Sequence, residues 1–148
     1  MIEINLEIIE SEEYEGIQII IKCPKIDARI KSIIEKIEQS NVALPGEKEG
    51  RIYSLEPESL YYIESVENIV FFYTENEIYE SNLKLYEVVD RLKDLNFIQI
   101  SKSLVVNINH IHSVRAIING KFEALLTNKE IVIVNRHYVK AFKEKFIK

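Results

Sequence analysis

The sequence predicts a mostly β fold with short α-helices, on three observations. From residue 51 onward, short runs of β-branched and aromatic residues alternate with turn-prone pieces. Asn119-Gly120 sits between two such runs, the strongest short-range signal for a two-residue hairpin. Helical spacing is confined to three short stretches, at 26–37, 82–93 and from about 136. The chain has 148 residues, about one domain, or one domain with a small appendage. A chain of this length buries roughly two-thirds of its unfolded surface without help from disulfide or metal.

Residues 2–9 and 17–22 are rich in Ile and read as strands, joined by the polar piece Glu12-Glu13-Tyr14-Glu15-Gly16. The period then changes. Ile26, Ile30, Ile33, Ile34 and Ile37 lie on one face of a helix, with Pro24 before it and Asp27 in its first turn, where the dipole favours an acid. These residues make a strand-strand-helix (α+β) unit over 1–45, too small for a receiver domain and marginal alone. Its Ile stripe needs a partner, and a homodimer through this unit is expected. Residues 41–50, with Pro45, Gly46 and three charges, read as a linker.

Strands are then expected at Arg51–Leu55, Leu60–Val66, Ile69–Thr74 and Ile78–Tyr79. Leu85, Val88, Val89 and Leu92 give a helix within 82–93. Val114–Ile118 and Lys121–Thr127 flank the Asn-Gly turn, and Asn128-Lys129 turns into Glu130–Val134, whose Ile and Val on both faces predict a central strand. A last helix starts near Arg136 with Asn135 as its cap. Val139, Phe142 and Phe146 form its buried stripe, leaving Lys140, Lys143, Lys145 and Lys148 wet.

The composition, 47% hydrophobic and 29% charged with four Gly and three Pro, excludes a disordered or low-complexity chain. The longest apolar runs fall far short of the ~20 residues that span a bilayer, and the first residues carry acid where a secretory signal carries base. A cytoplasmic location is expected. Cys23 is the sole cysteine, so no intrachain disulfide and no cysteine-based zinc site can form. The net charge of -5 conceals an uneven distribution. Residues 1–45 hold nine acids and five bases, 46–96 twelve and five, and 97–148 three and nine, giving -4, -7 and +6. The basic third calls either for an anionic partner or for pairing with the acidic remainder of the fold.

Catalytic patterns are missing from the sequence. Four glycines make a phosphate-cradling loop improbable, no serine lies in a nucleophile elbow, and Cys23 has no neighbouring His. His110 and His112 are two apart and could face one way, but a third ligand is not evident. No catalytic residue, metal, cofactor or small-molecule substrate is therefore expected.

Four segments, in order, resemble the LytTR DNA-binding domain found at the C-terminus of AgrA-like response regulators. Leu60-Tyr61-Tyr62-Ile63-Glu64-Ser65 is similar to the family's I-x-Y-I-E strand, and Leu83-Lys84-Leu85-Tyr86-Glu87-Val88 to its L-x-x-L-E-x-x-L helix. The run from Phe97 to Asn107 is similar to F-x-R-x-H-R-S-x-x-V-N, and Ile131 to Val139 to I-x-V-S-R-x-Y. The resemblance covers 51–148. It departs at Gln99 and Ser101, where the family carries Arg and His, and at Asn135, where it carries Ser.

The resemblance implies an elongated β-sandwich-like domain that is not a helix-turn-helix, in a stand-alone form without a receiver. It implies a sequence-specific transcription regulator that reads double-stranded DNA, as paired direct repeats, through loops and a helix start. It also implies restraint by a membrane-protein partner. The site residues carried over are Asn68, Ser101, Lys102, Ser103, Arg136 and His137, with Lys140 added as a phosphate contact. Two groups fit on physical grounds: Arg136 and His137 place cations against the dipole at a helix start, and Lys102 lies between two hydroxyls on a connecting segment. Glu67 beside Asn68 would repel phosphate. The competing expectation is a protein-interaction or antagonist module of the same fold with weakened DNA readout.

Overall fold

The structure, a computed structural model, describes residues 3–39 and 42–147. Helix α1 (Ala28–Gln39) starts after Ile26 and Asp27 rather than including them, and Asp27 stands just ahead of it, its carboxylate accepting from the Ile30 amide at 3.0 Å. Then come β1 (Leu44–Lys48), β2 (Arg51–Leu55), β3 (Tyr62–Val66), β4 (Ile69–Tyr73), β5 (Ile78–Ser81), α2 (Leu85–Arg91), β6 (Phe97–Gln99) and β7 (Leu104–Asn107). The chain ends with β8 (Ile111–Ala116), β9 (Phe122–Leu126), β10 (Ile131–Val134) and α3 (Val139–Phe146). The mostly β class with short helices is borne out.

All pairings are antiparallel. One sheet has the order β2-β1-β5-β4-β3-β7-β6, and a second the order β10-β9-β8. The pleat separates two cores. Val105 enters a cluster with Leu44, Leu60, Ile63, Phe72, Val88 and Leu92, which α2 closes. Its neighbour Val106 enters the opposite cluster with Ile100, Leu126, Val134 and Phe142, which the second sheet and α3 close. The larger sheet is therefore the shared middle layer. Asn107 is the polar residue that locks it: its amide donates to the Leu60 carbonyl at 2.8 Å, and its side-chain oxygen accepts from the Asn109 amide at 3.0 Å.

Several expectations are corrected. Among the described residues, 3–27 hold no strand, so the strand-strand-helix unit is present only as its helix; Met1, Ile2, Ser40, Asn41 and Lys148 lie outside the described residues. High β-propensity without a ladder partner does not make a strand, because a strand is stabilised by its neighbours. The expected linker instead contains β1. Leu44 is fully buried, and Gly46 is needed because a Cβ there would lie 2.7 Å from a Leu55 methyl and 2.8 Å from the Tyr79 Cβ. Strand β10 is an edge strand rather than a central one. Lys145 is not wet: its ammonium donates to the Leu95 and Phe97 carbonyls at 2.9 and 2.7 Å.

Candidate nucleic-acid interface

The sharp turn between β6 and β7 carries Lys102 at its tip. Ile100 donates to the Leu104 carbonyl at 2.9 Å, and the Ser101 hydroxyl accepts from the Ser103 amide at 3.2 Å. The Gln99 side-chain amide donates to the Lys102 carbonyl at 3.3 Å. Gln99 and Ser101, two of the three departures from the family pattern, thus hold the turn that presents Lys102.

Backbone bonds tie this turn to two other segments. The Asn135 amide donates to the Ile100 carbonyl at 2.9 Å, which brings the start of the last helical segment alongside. The Ser65 amide donates to the Ser103 carbonyl at 2.8 Å, so the β3–β4 turn at Glu67-Asn68 projects from the same end of the sheet. Both turn residues have positive φ, 52° and 67°, as a tight hairpin turn demands. Three segments far apart in sequence therefore share one end of the domain.

Between the first two lies an open concavity of about 480 Å³, lined by Ser101, Lys102, Ser103, Asn135, His137 and Tyr138. It gathers four of the seven residues expected from the sequence. Asn68 lies on the neighbouring turn and Lys140 on the exposed side of α3. Arg136 stands to one side, its Cγ and Cδ each 3.1 Å from where a Cβ on Gly120 would sit. Gly120 leaves room for that arginine stem against the Asn119-Gly120 turn, where both residues have positive φ.

The expected helix start differs in detail. A short 3-10 turn, Arg136–Tyr138, precedes α3, and the Asn135 side chain makes no capping bond. The cap role assigned to Asn135 is thus not performed by its side chain; its carbonyl accepts from the Tyr138 amide at 2.8 Å instead. Asn135 and Tyr138 were not anticipated as site residues. Both belong to the segment around Arg136-His137, so adjacency was the one signal available.

This end of the molecule gathers several cations that the fold leaves uncommitted. Elsewhere in the basic third, Arg115 pairs with Glu123 at 3.2 Å, Lys143 lies 4.7 Å over the Phe122 ring, and Lys145 binds carbonyls. Among the described residues, Lys102, Arg136, His137 and Lys140 have no side-chain hydrogen bond or ion pair, and all four are exposed. The two other histidines lie apart from this cluster. His110 stacks on Tyr61 with ring centroids 4.0 Å apart and reaches the Glu58 carbonyl, while His112 contacts Ser113. Among the described residues no group of His, Cys, Asp and Glu could hold a metal ion, and no helix is long and apolar enough to cross a membrane.

An antiparallel two-sheet domain with exposed cations gathered at one end has the character of a DNA-binding domain. Residues 50–147 match the LytTr DNA-binding domain model, and the chain belongs to that family. The sensory transduction protein LytT of Enterococcus faecalis (strain ATCC 700802 / V583) is 31% identical over 103 residues, covering 70% of this chain and 43% of that protein. The transcriptional regulatory protein LytR of Staphylococcus aureus (strain N315) is 31% identical over 101 residues, covering 68% and 41%. The chain thus spans about two-fifths of the length of these relatives. An uncharacterized HTH-type transcriptional regulator of Staphylococcus aureus (strain MSSA476) is 28% identical over 147 residues, 98% of each chain. In structure, the chain is similar to the LytTr DNA-binding domain of a Bacillus cereus protein, with a TM-score of 0.64 and 22% identity over 70% of this chain and 94% of that one.

Proposed function

We propose that this chain is a sequence-specific transcription regulator that works in the cytoplasm and reads the major groove with the loops at this end of the domain. The observation that carries the reading is that one end of the domain gathers Lys102, Arg136, His137 and Lys140, all exposed and without an intramolecular hydrogen bond or ion pair among the described residues, whereas Arg115 and Lys145 of the same basic third are engaged. Exposed cations left without internal partners are available to an external polyanion. Arg136 is assigned the discriminating role, because a guanidinium can bond both acceptors of a guanine edge and an ammonium cannot match that fork. Lys102 stands at the turn tip where it meets a base edge or phosphate, and Lys140 supplies phosphate attraction. Ser101, Ser103 and Asn68 contribute shorter polar contacts. Paired direct repeats, a homodimer on them and a restraining membrane-protein partner complete the proposal.

A second reading, an interaction or antagonist module, draws support from Gln99 and Ser101. These positions hold the turn instead of offering the charge that the family pattern carries there. Binding to a selected duplex and to a scrambled one, at two salt concentrations, separates the readings. Arg136→Lys should lose roughly 1–3 kcal/mol on the selected duplex alone. Lys140→Ala should weaken both duplexes alike and reduce the salt slope by about 0.9. If Arg136→Lys and Lys102→Ala both keep the wild-type preference, the site assignment is wrong. If wild type shows no preference at all, the second reading stands.

A further inference from the structure

The described residues ahead of α1 expose an apolar surface that the domain itself does not cover. Ile4, Leu6, Ile8, Ile9, Ile17, Ile19, Ile20, Ile21 and Ile26 are all exposed, Leu6 at 85% and Ile17 at 94%. Together they present on the order of 1,000 Å² per copy, more than the ~300–600 Å² of the largest patch on a typical monomer and comparable to the ~800 Å² each partner gives a stable interface. The backbone is equally unused. A turn at Ser11–Tyr14 is closed by the Tyr14 amide on the Ser11 carbonyl at 3.2 Å and by the Glu13 amide on the Ser11 hydroxyl at 3.2 Å. It divides the segment into two arms without helix or strand. Among the described residues no backbone hydrogen bond joins one arm to the other or either arm to the sheets. Chain rich in β-branched residues with an unpaired backbone is a template for strand addition.

The charges of the arms choose the occupant. Residues 3–15 contain six acids (Glu3, Glu7, Glu10, Glu12, Glu13 and Glu15) and no base. Residues 16–31 contain Lys22, Lys25, Arg29 and Lys31 against the single acid Asp27. First arms repel each other, and a first arm attracts a second arm. We propose that the arms form an intermolecular sheet in which the first arm of each copy pairs with the second arm of the other. The contact is isologous, made twice about a two-fold axis, and buries both apolar arms at once. It relocates self-association from the Ile stripe of α1, where Ile30, Ile33, Ile34 and Ile37 are already half-buried, to the exposed arms before it. Helix α1 links the arms to the domain, with the Asn109 amide donating to the Glu35 carboxylate at 2.9 Å. A dimer built on the arms would therefore carry two loop interfaces.

The test is the mass of the full chain by sedimentation, without DNA, so it is independent of the DNA reading. Two charge-swapped proteins are compared: one with Glu3→Lys, Glu7→Lys and Glu10→Lys, the other with Lys22→Glu and Lys25→Glu. Wild type is expected to be a dimer at micromolar concentration. Each swapped protein should associate about tenfold more weakly or worse, and an equal mixture of the two should restore dimers containing one of each, seen by a tag on one partner. Arms that pair within their own chain would give no rescue on mixing. A monomeric wild type, swapped proteins that dimerise like wild type, or a mixture that stays monomeric would each overturn the proposal.

Discussion

Replacing Asn107 by Ala should unfold the domain more readily without touching any cation of the loop interface. Asn107 is 1% exposed and bridges β7 to the chain before β3. Truncation leaves the Leu60 carbonyl without its donor in a fully buried place, which costs about 1–3 kcal/mol. The Asn109 amide also loses its acceptor, but lies in a partly buried position and recovers some bonding from water. The small cavity left behind adds to the loss. The expected total is about 2–4 kcal/mol. With a urea m-value of about 2 kcal/mol/M for a domain of this size, the midpoint should fall by about 1–2 M. Lys102→Ala in the same assay should stay within about 0.5 kcal/mol, as an exposed side chain without a partner should. A loss below about 1 kcal/mol for Asn107→Ala would refute the idea that this residue locks the middle layer.

Other changes have equally definite outcomes. Gly46→Ala forces a methyl into Leu55 and Tyr79 and should cost about 1–3 kcal/mol of stability by denaturant titration. Lys145→Met removes two charge-assisted bonds to the Leu95 and Phe97 carbonyls and should cost more than Lys140→Met, which breaks none. Burial, and after it the hydrogen bond and charge of Glu130, push the Tyr62 phenol well above its usual 10. The folded protein then holds a proton that the unfolded chain releases, so stability should decline as pH rises above about 10. Tyr62→Phe should flatten that decline in denaturation series run across alkaline pH.

The legible parts of the fold are those where local pattern and tertiary partner agree. Strands β3, β4 and β9 follow their alternation or bounding turns, and Asn119-Gly120 turns the β8–β9 hairpin with positive φ, though through residues 117–121 and a 3-10 turn rather than the expected two-residue loop. The errors share a physical origin in partners that a linear pattern cannot show. Residues 3–22 have the composition of strands but no neighbour in the chain to pair with. Pro45 and Gly46 look like linker residues, yet β1 exists because Leu44 is buried and Gly46 fits beneath Tyr79.

For the site, resemblance located the turn at 101–103 and the segment at 136–137. It could not show that Gln99 and Ser101 build the turn, that Tyr138 joins the concavity, or that Arg136 leans toward Gly120. Nor does a run of lysines on α3 reveal which are spoken for. Only the fold separates Lys145, bound to carbonyls, from the uncommitted Lys140.

The central claim is that the loop end of the domain is the DNA interface, and amide chemical-shift mapping with a duplex selected from a random pool tests it most directly. The largest changes should fall at Glu67-Asn68, Ser101–Ser103 and Asn135–Lys140, with little change along β1 and β2 at the far edge of the larger sheet. Changes centred on β1, β2 or α1, with the loops at 101–103 and 135–140 unmoved, would contradict the account.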